Sequence, residues 1–279
     1  MYISTENRIY TTVSHQTLAP ENRSTRIRRP TTLSLDSSFD GSVVIMTEYS
    51  SRWENRIFRE DVKNYHIIEG DIFADRFRKK NICICQQCNC ITLKPHGLSA
   101  DIVKHFGEYA NSYGRRRAKP NTINTATLET RAEPGTVDFC EGTPCVANLF
   151  AQFFYGSSSK VQYLSRKYLD PHIREGVDND TAEKRLMYFR SCLNNLMFDL
   201  RNKYTYIDTV VFPHRIGCGM AGGSWADYQN VLLQFADRLS EDNITVFEVR
   251  NDAAIEATKR YHSRPVEGRW REREGITTD

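Results

Sequence analysis

The chain lacks any run approaching the roughly 20 apolar residues needed to cross a bilayer, which excludes a helical membrane span from the expectation. Its opening, MYISTENRIYTTVSHQ, also lacks the basic-then-apolar plan of an export signal. An intracellular protein, cytoplasmic or nuclear, with no membrane partner is therefore expected. A large excess of one charge is missing too: 38 Lys plus Arg stand against 35 Asp plus Glu, a net charge of +3. That balance disfavours a protein whose main work is coating phosphate backbones, although it leaves room for a local basic patch.

Cysteine is not scarce. Eight cysteines without an export signal suit reduced thiols better than a disulfide framework. Cys83, Cys85, Cys88 and Cys90 are dense enough to raise the question of a metal site. Their C-x-C-x-x-C-x-C spacing, interleaved with Ile82, Ile84 and Ile91, puts Cys83 and Cys85 on one side of a strand rather than on two separate knuckles. Small apolar residues filling a buried strand is the favoured reading, with no metal and no cofactor expected.

Residues 1–42 are polar and breaker-rich, with Arg23, Arg26, Arg28 and Arg29, and are expected to form a flexible arm able to meet RNA or an acidic partner. A charged tail is expected over 256–279. The folded part then spans 43–255, with 43–64 as an N-terminal extension. Within it, HIIEGD (66–71) and NICICQQC (81–88) have strand patterns, and 98–116 has one or two helices. TVDFC (136–140) and CVANLFAQFFYG (145–156) flank the turn EGTP and are expected to pair antiparallel. Leu186, Phe189, Leu193, Leu196 and Leu200 mark an amphipathic helix over 182–203. A strand (206–213), a helix (224–241) and a last strand (243–250) follow. This order describes an α/β fold of three layers, α/β/α, with a mixed, mostly parallel sheet. The segment 157–180 is left unassigned, as a lid or a connection.

The sharpest chemical signal is FPHRIGCGMAGGSW, residues 212–225. It joins a strand to a helix through Gly217, Gly219, Gly222 and Gly223, which leave backbone amides uncovered by side chains. A tight turn needs one or two glycines; four suit a cradle for phosphate, with Ser224 as N-cap and the helix dipole facing the anion. No Lys followed by Ser or Thr ends the glycine run, so a nucleotide triphosphate P-loop is excluded. GCGMAG does match G-x-G-x-x-G, and Glu248 is placed to imitate a ribose-binding acid. A dinucleotide fold needs further strand and helix units after this point, however, and only one strand remains.

Three blocks in order, IIEGDIF (67–73), CNCITLKPHGLSADIVKHF (88–106) and PHRIGCGMAGGSW (213–225), resemble the macro domain family, which binds ADP-ribose. The resemblance covers about 66–250, and its last block is the most specific. It implies that Asp71 hydrogen-bonds the adenine amine with the amide of Ile72 nearby, and that Asn89 contacts the distal ribose. The loop TLKPHGL, Gly97 included, would wrap that ribose. Gly217, Cys218, Gly219, Met220, Ala221 and Gly222 would hold the diphosphate through backbone amides. Cys218 is a backbone spacer in this resemblance, with no covalent role.

The chain departs from mono-ADP-ribosyl hydrolases in having His96-Gly97 where those carry a triple-glycine pattern. Ala221 stands where one group has a catalytic Asp, so a Lys and Asp covalent mechanism does not fit. The loop is instead similar to the ADP-ribose-1″-phosphate phosphatase type. Hydrolysis there requires a group to orient or deprotonate water. His96, which titrates in the useful range, is the first candidate, with Lys94 near an added phosphate and Asp101 as the alternative base. His214 is a further candidate for lining the ligand. Arg115, Arg116, Arg117 and Lys119 are expected to form a solvated, dipole-matched helix end rather than a nucleic-acid patch.

The expected function is therefore hydrolysis of ADP-ribose-1″-phosphate or removal of mono-ADP-ribose from a target, with Asn89, His96 and Asp101 as catalytic candidates. The rival is a non-catalytic reader of ADP-ribosylated protein or nucleic acid; a nicotinamide-dependent oxidoreductase is a third.

Overall fold

The computed structural model describes residues 59–120, 124–156 and 176–252, all within one compact unit, Val44–Asp279. The expected arm (1–42), the tail (256–279) and most of the unassigned segment lie outside the described residues.

Six strands form one sheet: β1 (Tyr65–Glu69), β2 (Ile82–Asn89), β3 (Val137–Cys140), β4 (Cys145–Gln152), β5 (Thr209–Pro213) and β6 (Thr245–Arg250). Their order across the sheet is β1-β6-β5-β2-β4-β3. Every neighbouring pair is parallel except β3 and β4, which are antiparallel around the turn at EGTP. The expected mixed, mostly parallel sheet is thus the observed one.

Strand β2 opens with the apolar run Ile82–Cys85 and is buried along nearly its whole length because it is central, flanked by β5 and β4. Cys83 and Cys85 point into a core shared with α2 (Ala182–Asn202) and α3 (Trp225–Leu239), whereas Ile82 and Ile84 join Ile102 of α1 (Leu98–Phe106) on the opposite face. Helices on both faces give three layers. Cys88 and Cys90 belong to a third cluster with Tyr113, Phe150 and Phe153. All four thiols are buried and free.

Two helices start where local chemistry sets them. Thr181 caps α2, its hydroxyl accepting from the Lys184 amide at 3.2 Å. Ser224 occupies the cap position of α3, but its hydroxyl makes no capping bond. Helix α1 is shorter than the 98–116 pattern suggests. Gly107, at φ 104°, turns the chain out of the helix after Phe106, and only a short 3₁₀ turn (Glu108–Ala110) follows.

That early stop overturns the reading of the arginine run as a solvated helix end. Arg116 is buried. Its Nη1 donates to the carbonyl of Thr92 at 2.6 Å and its Nη2 to that of Asn89 at 2.8 Å, while the guanidinium lies over the Tyr113 ring. Only Arg115 and Arg117 of the triplet are exposed, Arg115 pairing with Asp138 at 3.0 Å.

Candidate functional site

Because β1, β6, β5, β2 and β4 all run the same way, their C-terminal ends line one edge of the sheet, where parallel α/β sheets bind ligands. The loops that leave this edge, 70–73 after β1, 90–97 after β2 and 214–223 after β5, contain most of the sequence-predicted site residues; Asn89 is the last residue of β2 and Asp101 lies in the first turn of α1. The loops after β2 and β5 are neighbours, since those strands pair. A β-carbon on Gly97 would lie 3.6 Å from Met220 Cε, so they touch at their tips.

The glycine loop is built over Tyr228 of α3, which is 1% exposed. A β-carbon on Gly217 would overlap the Tyr228 ring and lie 2.6 Å from Gln87 Oε1; one on Gly223 would lie 2.6 Å from the same ring. Gly217 also has φ 73°. Packing therefore requires glycine at 217 and 223. At Gly219 nothing lies within 4 Å of the added carbon, so neither packing nor dihedral angle explains the residue.

Within the loop, the Cys218 amide donates to Arg215 O (2.9 Å), Gly222 to Gly219 O (3.2 Å) and Gly223 to Gly217 O (3.0 Å). The amides of Gly219, Met220 and Ala221 have no hydrogen-bond partner among the described residues. Three successive N–H groups without partners, just before the start of α3, are donors of the kind that anions accept from. Arg215, at φ 58°, enters the loop in a left-handed conformation uncommon for a non-glycine residue.

The loop after β2 is fixed by Asn89. Its Oδ1 accepts from the amides of Ile91 (3.2 Å) and Thr92 (2.8 Å) and from the Thr92 hydroxyl (2.9 Å). That acceptor is committed to the loop, whereas Asn89 Nδ2 has no partner among the described residues. Asn124 Oδ1 accepts from the Leu93 amide at 3.0 Å, and Arg116 holds the carbonyls of Asn89 and Thr92. His96 and Lys94 lie exposed beyond these anchors, and Asp101 is exposed in the first turn of α1.

Asp71 is exposed, and its Oδ1 accepts from the Phe73 amide at 3.0 Å, shaping the turn after β1. The Ile72 side chain is buried in the α1-side core, while its amide has no partner among the described residues.

Two candidates sit differently from expectation. Glu248 is fully buried and accepts from the Tyr65 hydroxyl at 2.5 Å and from His214 Nδ1, with Arg250 Nε at 3.3 Å. It is therefore closed off from any ribose, which removes the acid that the dinucleotide reading needs. His214 has a mostly buried side chain, bonded to Glu248 and packed edge-on against Trp225, ring centroids 4.9 Å apart. Burial pushes the Cys218 thiol up to about 12, so it is not a thiolate at neutral pH. Among the described residues no cluster of three or more His, Cys, Asp or Glu is placed to hold a metal.

Sequence reasoning missed Arg116 and the pair Asp180–Arg185, which fasten the two loops from inside. The signal was present for Arg185: it falls four residues before Phe189 on the buried stripe of α2.

Among solved structures, the chain is similar to the macrodomain of Mycobacterium tuberculosis DarG, at 14% identity over 66% of this chain and 97% of that one, with a TM-score of 0.41. The Oceanobacillus iheyensis macrodomain with MES bound is similar at 14% identity over 72% and 94%, with a TM-score of 0.42. A mutant of the same macrodomain with ADPR is similar at 12% identity over 68% and 86%, with a TM-score of 0.41. No family model matches the chain, and no curated protein matches it in sequence.

Proposed function

We propose that this chain is a macro-domain-type protein that binds ADP-ribose or a derivative across the C-terminal sheet edge and hydrolyses it at the distal ribose. The observation that carries the reading is the glycine loop: Gly219 has no packing reason to be glycine, and the amides of Gly219, Met220 and Ala221 are uncommitted beside it. In the reading, these amides take the diphosphate. The free Ile72 amide and the carboxylate of Asp71 take adenine at one end of the edge. At the other end, Asn89 Nδ2 and the Gly97 segment take the distal ribose.

The favoured substrate is ADP-ribose-1″-phosphate. Water attacks phosphorus, the bond from phosphorus to the ribose oxygen breaks, and that oxygen takes a proton, giving ADP-ribose and inorganic phosphate. His96 is assigned to orienting or deprotonating the water, with Asp101 as the alternative base and Lys94 near the added phosphate. Removal of mono-ADP-ribose from protein or nucleic acid uses the same ribose end.

Phosphate release from ADP-ribose-1″-phosphate, measured with wild type, His96→Ala and Asp101→Ala, tests the proposal. Turnover that falls in either variant by much more than ADP-ribose affinity supports catalysis. Retained binding with no release from any phosphorylated or protein-linked substrate leaves a reader.

A further inference from the structure

One buried guanidinium ties the glycine loop to the body of the fold. Arg185 lies in the first turn of α2, and its side chain is 1% exposed. Nη1 donates to the carbonyls of Gly156 (2.5 Å) and Ala221 (2.9 Å), and Nη2 to Phe154 O (3.4 Å) and Asp180 Oδ2 (2.5 Å). Asp180, also fully buried, accepts in addition from the amides of Phe153 (3.0 Å) and Phe154 (3.1 Å). Only Nε of the guanidinium lacks a partner.

Burying a charge pair costs several kcal/mol, which the mutual attraction recovers only with good geometry and extra hydrogen bonds. An apolar residue at 185 would continue the stripe of Phe189, Leu193 and Leu196 without that cost. What arginine alone supplies is a rigid planar fork that reaches carbonyls in two separate loops at once. One of those carbonyls, on Ala221, belongs to the residue whose amide ends the run of free donors. The turn from Gly219 to Gly222 is closed by its own hydrogen bond, and the Arg185 contact fixes that turn against α2.

We propose that Arg185, oriented by Asp180, is a positioning residue for the anion-binding loop. It holds the Ala221 carbonyl so that the amides of Gly219, Met220 and Ala221 stand in one arrangement before a ligand arrives, which removes an ordering cost from binding. This rests on the proposed binding of ADP-ribose. A pair that served only to stabilise α2 against β4 would have no need of Ala221.

The full chain is compared with Arg185→Lys, which keeps the charge but loses the fork, and with Asp180→Asn, which keeps an acceptor oxygen but loses the charge. Three quantities are measured: thermal melting, amide exchange, and calorimetric affinity for ADP-ribose. The informative amides are those of Cys218, Gly222 and Gly223, which are bonded inside the loop. Exchange at these three rises by about tenfold or more in a folded variant while β2 and α3 exchange as in wild type, and affinity falls by about tenfold. The proposal is overturned if loop exchange and affinity stay at wild-type values, if only one of the two changes, or if affinity falls only together with exchange throughout the molecule. Should Arg185→Lys fail to fold, Asp180→Asn decides by the same criteria. A wild-type chain that binds no ADP-ribose defeats the functional reading instead, and loop exchange alone then decides whether Arg185 holds the loop.

Discussion

Gly97 and Met220 meet across the end of β2 and β5: a β-carbon at 97 would sit 3.6 Å from the Met220 methyl. Gly97 also has φ 55° and ψ −130°, a combination suited to glycine. Two loops more than a hundred residues apart in sequence are thereby brought tip to tip by one strand pairing.

The four glycines of the second loop are not equivalent. Gly217→Ala drives a carbon into the Tyr228 ring at an unfavourable φ and is expected to cost about 1–3 kcal/mol of stability, read by denaturant unfolding. Gly219→Ala meets open space and is expected to leave stability within about 1 kcal/mol of wild type while weakening ADP-ribose binding by about tenfold or more. Equal stability losses at both positions would remove the functional argument from Gly219.

Arg116 braces the loop after β2. Arg116→Met leaves the carbonyls of Asn89 and Thr92 without their donors and is expected to destabilise by about 2–4 kcal/mol, measured by chemical denaturation. Arg116→Lys, with a single ammonium to serve both carbonyls, should fall between the two.

Glu248 collects the Tyr65 hydroxyl, His214 and Arg250 at a fully buried position. Burial and the neighbouring carboxylate push the Tyr65 phenol well above its ordinary range. Spectrophotometric titration should therefore find Tyr65 un-ionised until alkaline unfolding. Glu248→Ala is expected to cost about 3 kcal/mol by stranding its donors.

Cys218 supplies a pH prediction. Its thiol is raised to about 12 in the folded chain, while an unfolded thiol ionises near pH 8.5, at about its reference value. The folded state thus holds the proton more tightly. This contribution to stability is complete below about pH 8 and is lost progressively as pH rises toward 12. Alkylation at pH 7.5 should be slow, and Cys218→Ser should flatten the alkaline limb of a stability profile. Rapid labelling of the folded protein at neutral pH would contradict this.

Much of the fold was legible because its signals are local. The apolar run of β2, the periodic stripe of α2 and the turn at EGTP each declare their element within a few residues. The glycine loop was legible too, since glycine content reports backbone exposure directly. The supports of the site were not. Arg116 looks like its exposed neighbours Arg115 and Arg117, and only the early end of α1 at Gly107 turns it inward. Arg185 departs from the surface pattern of α2, but its carbonyl partners come from the loop after β4 and from the glycine loop, which no helical period encodes. Glu248 likewise owes its burial to the pairing of β6 with β1 and β5.

Calorimetric titration of the full chain with ADP-ribose, with ATP and NAD as comparators, tests the central claim most directly. Micromolar binding selective for ADP-ribose and reduced by about tenfold or more in Asp71→Ala is the predicted result. A folded chain that binds none of the three, or binds ATP and NAD as tightly as ADP-ribose, would contradict the account.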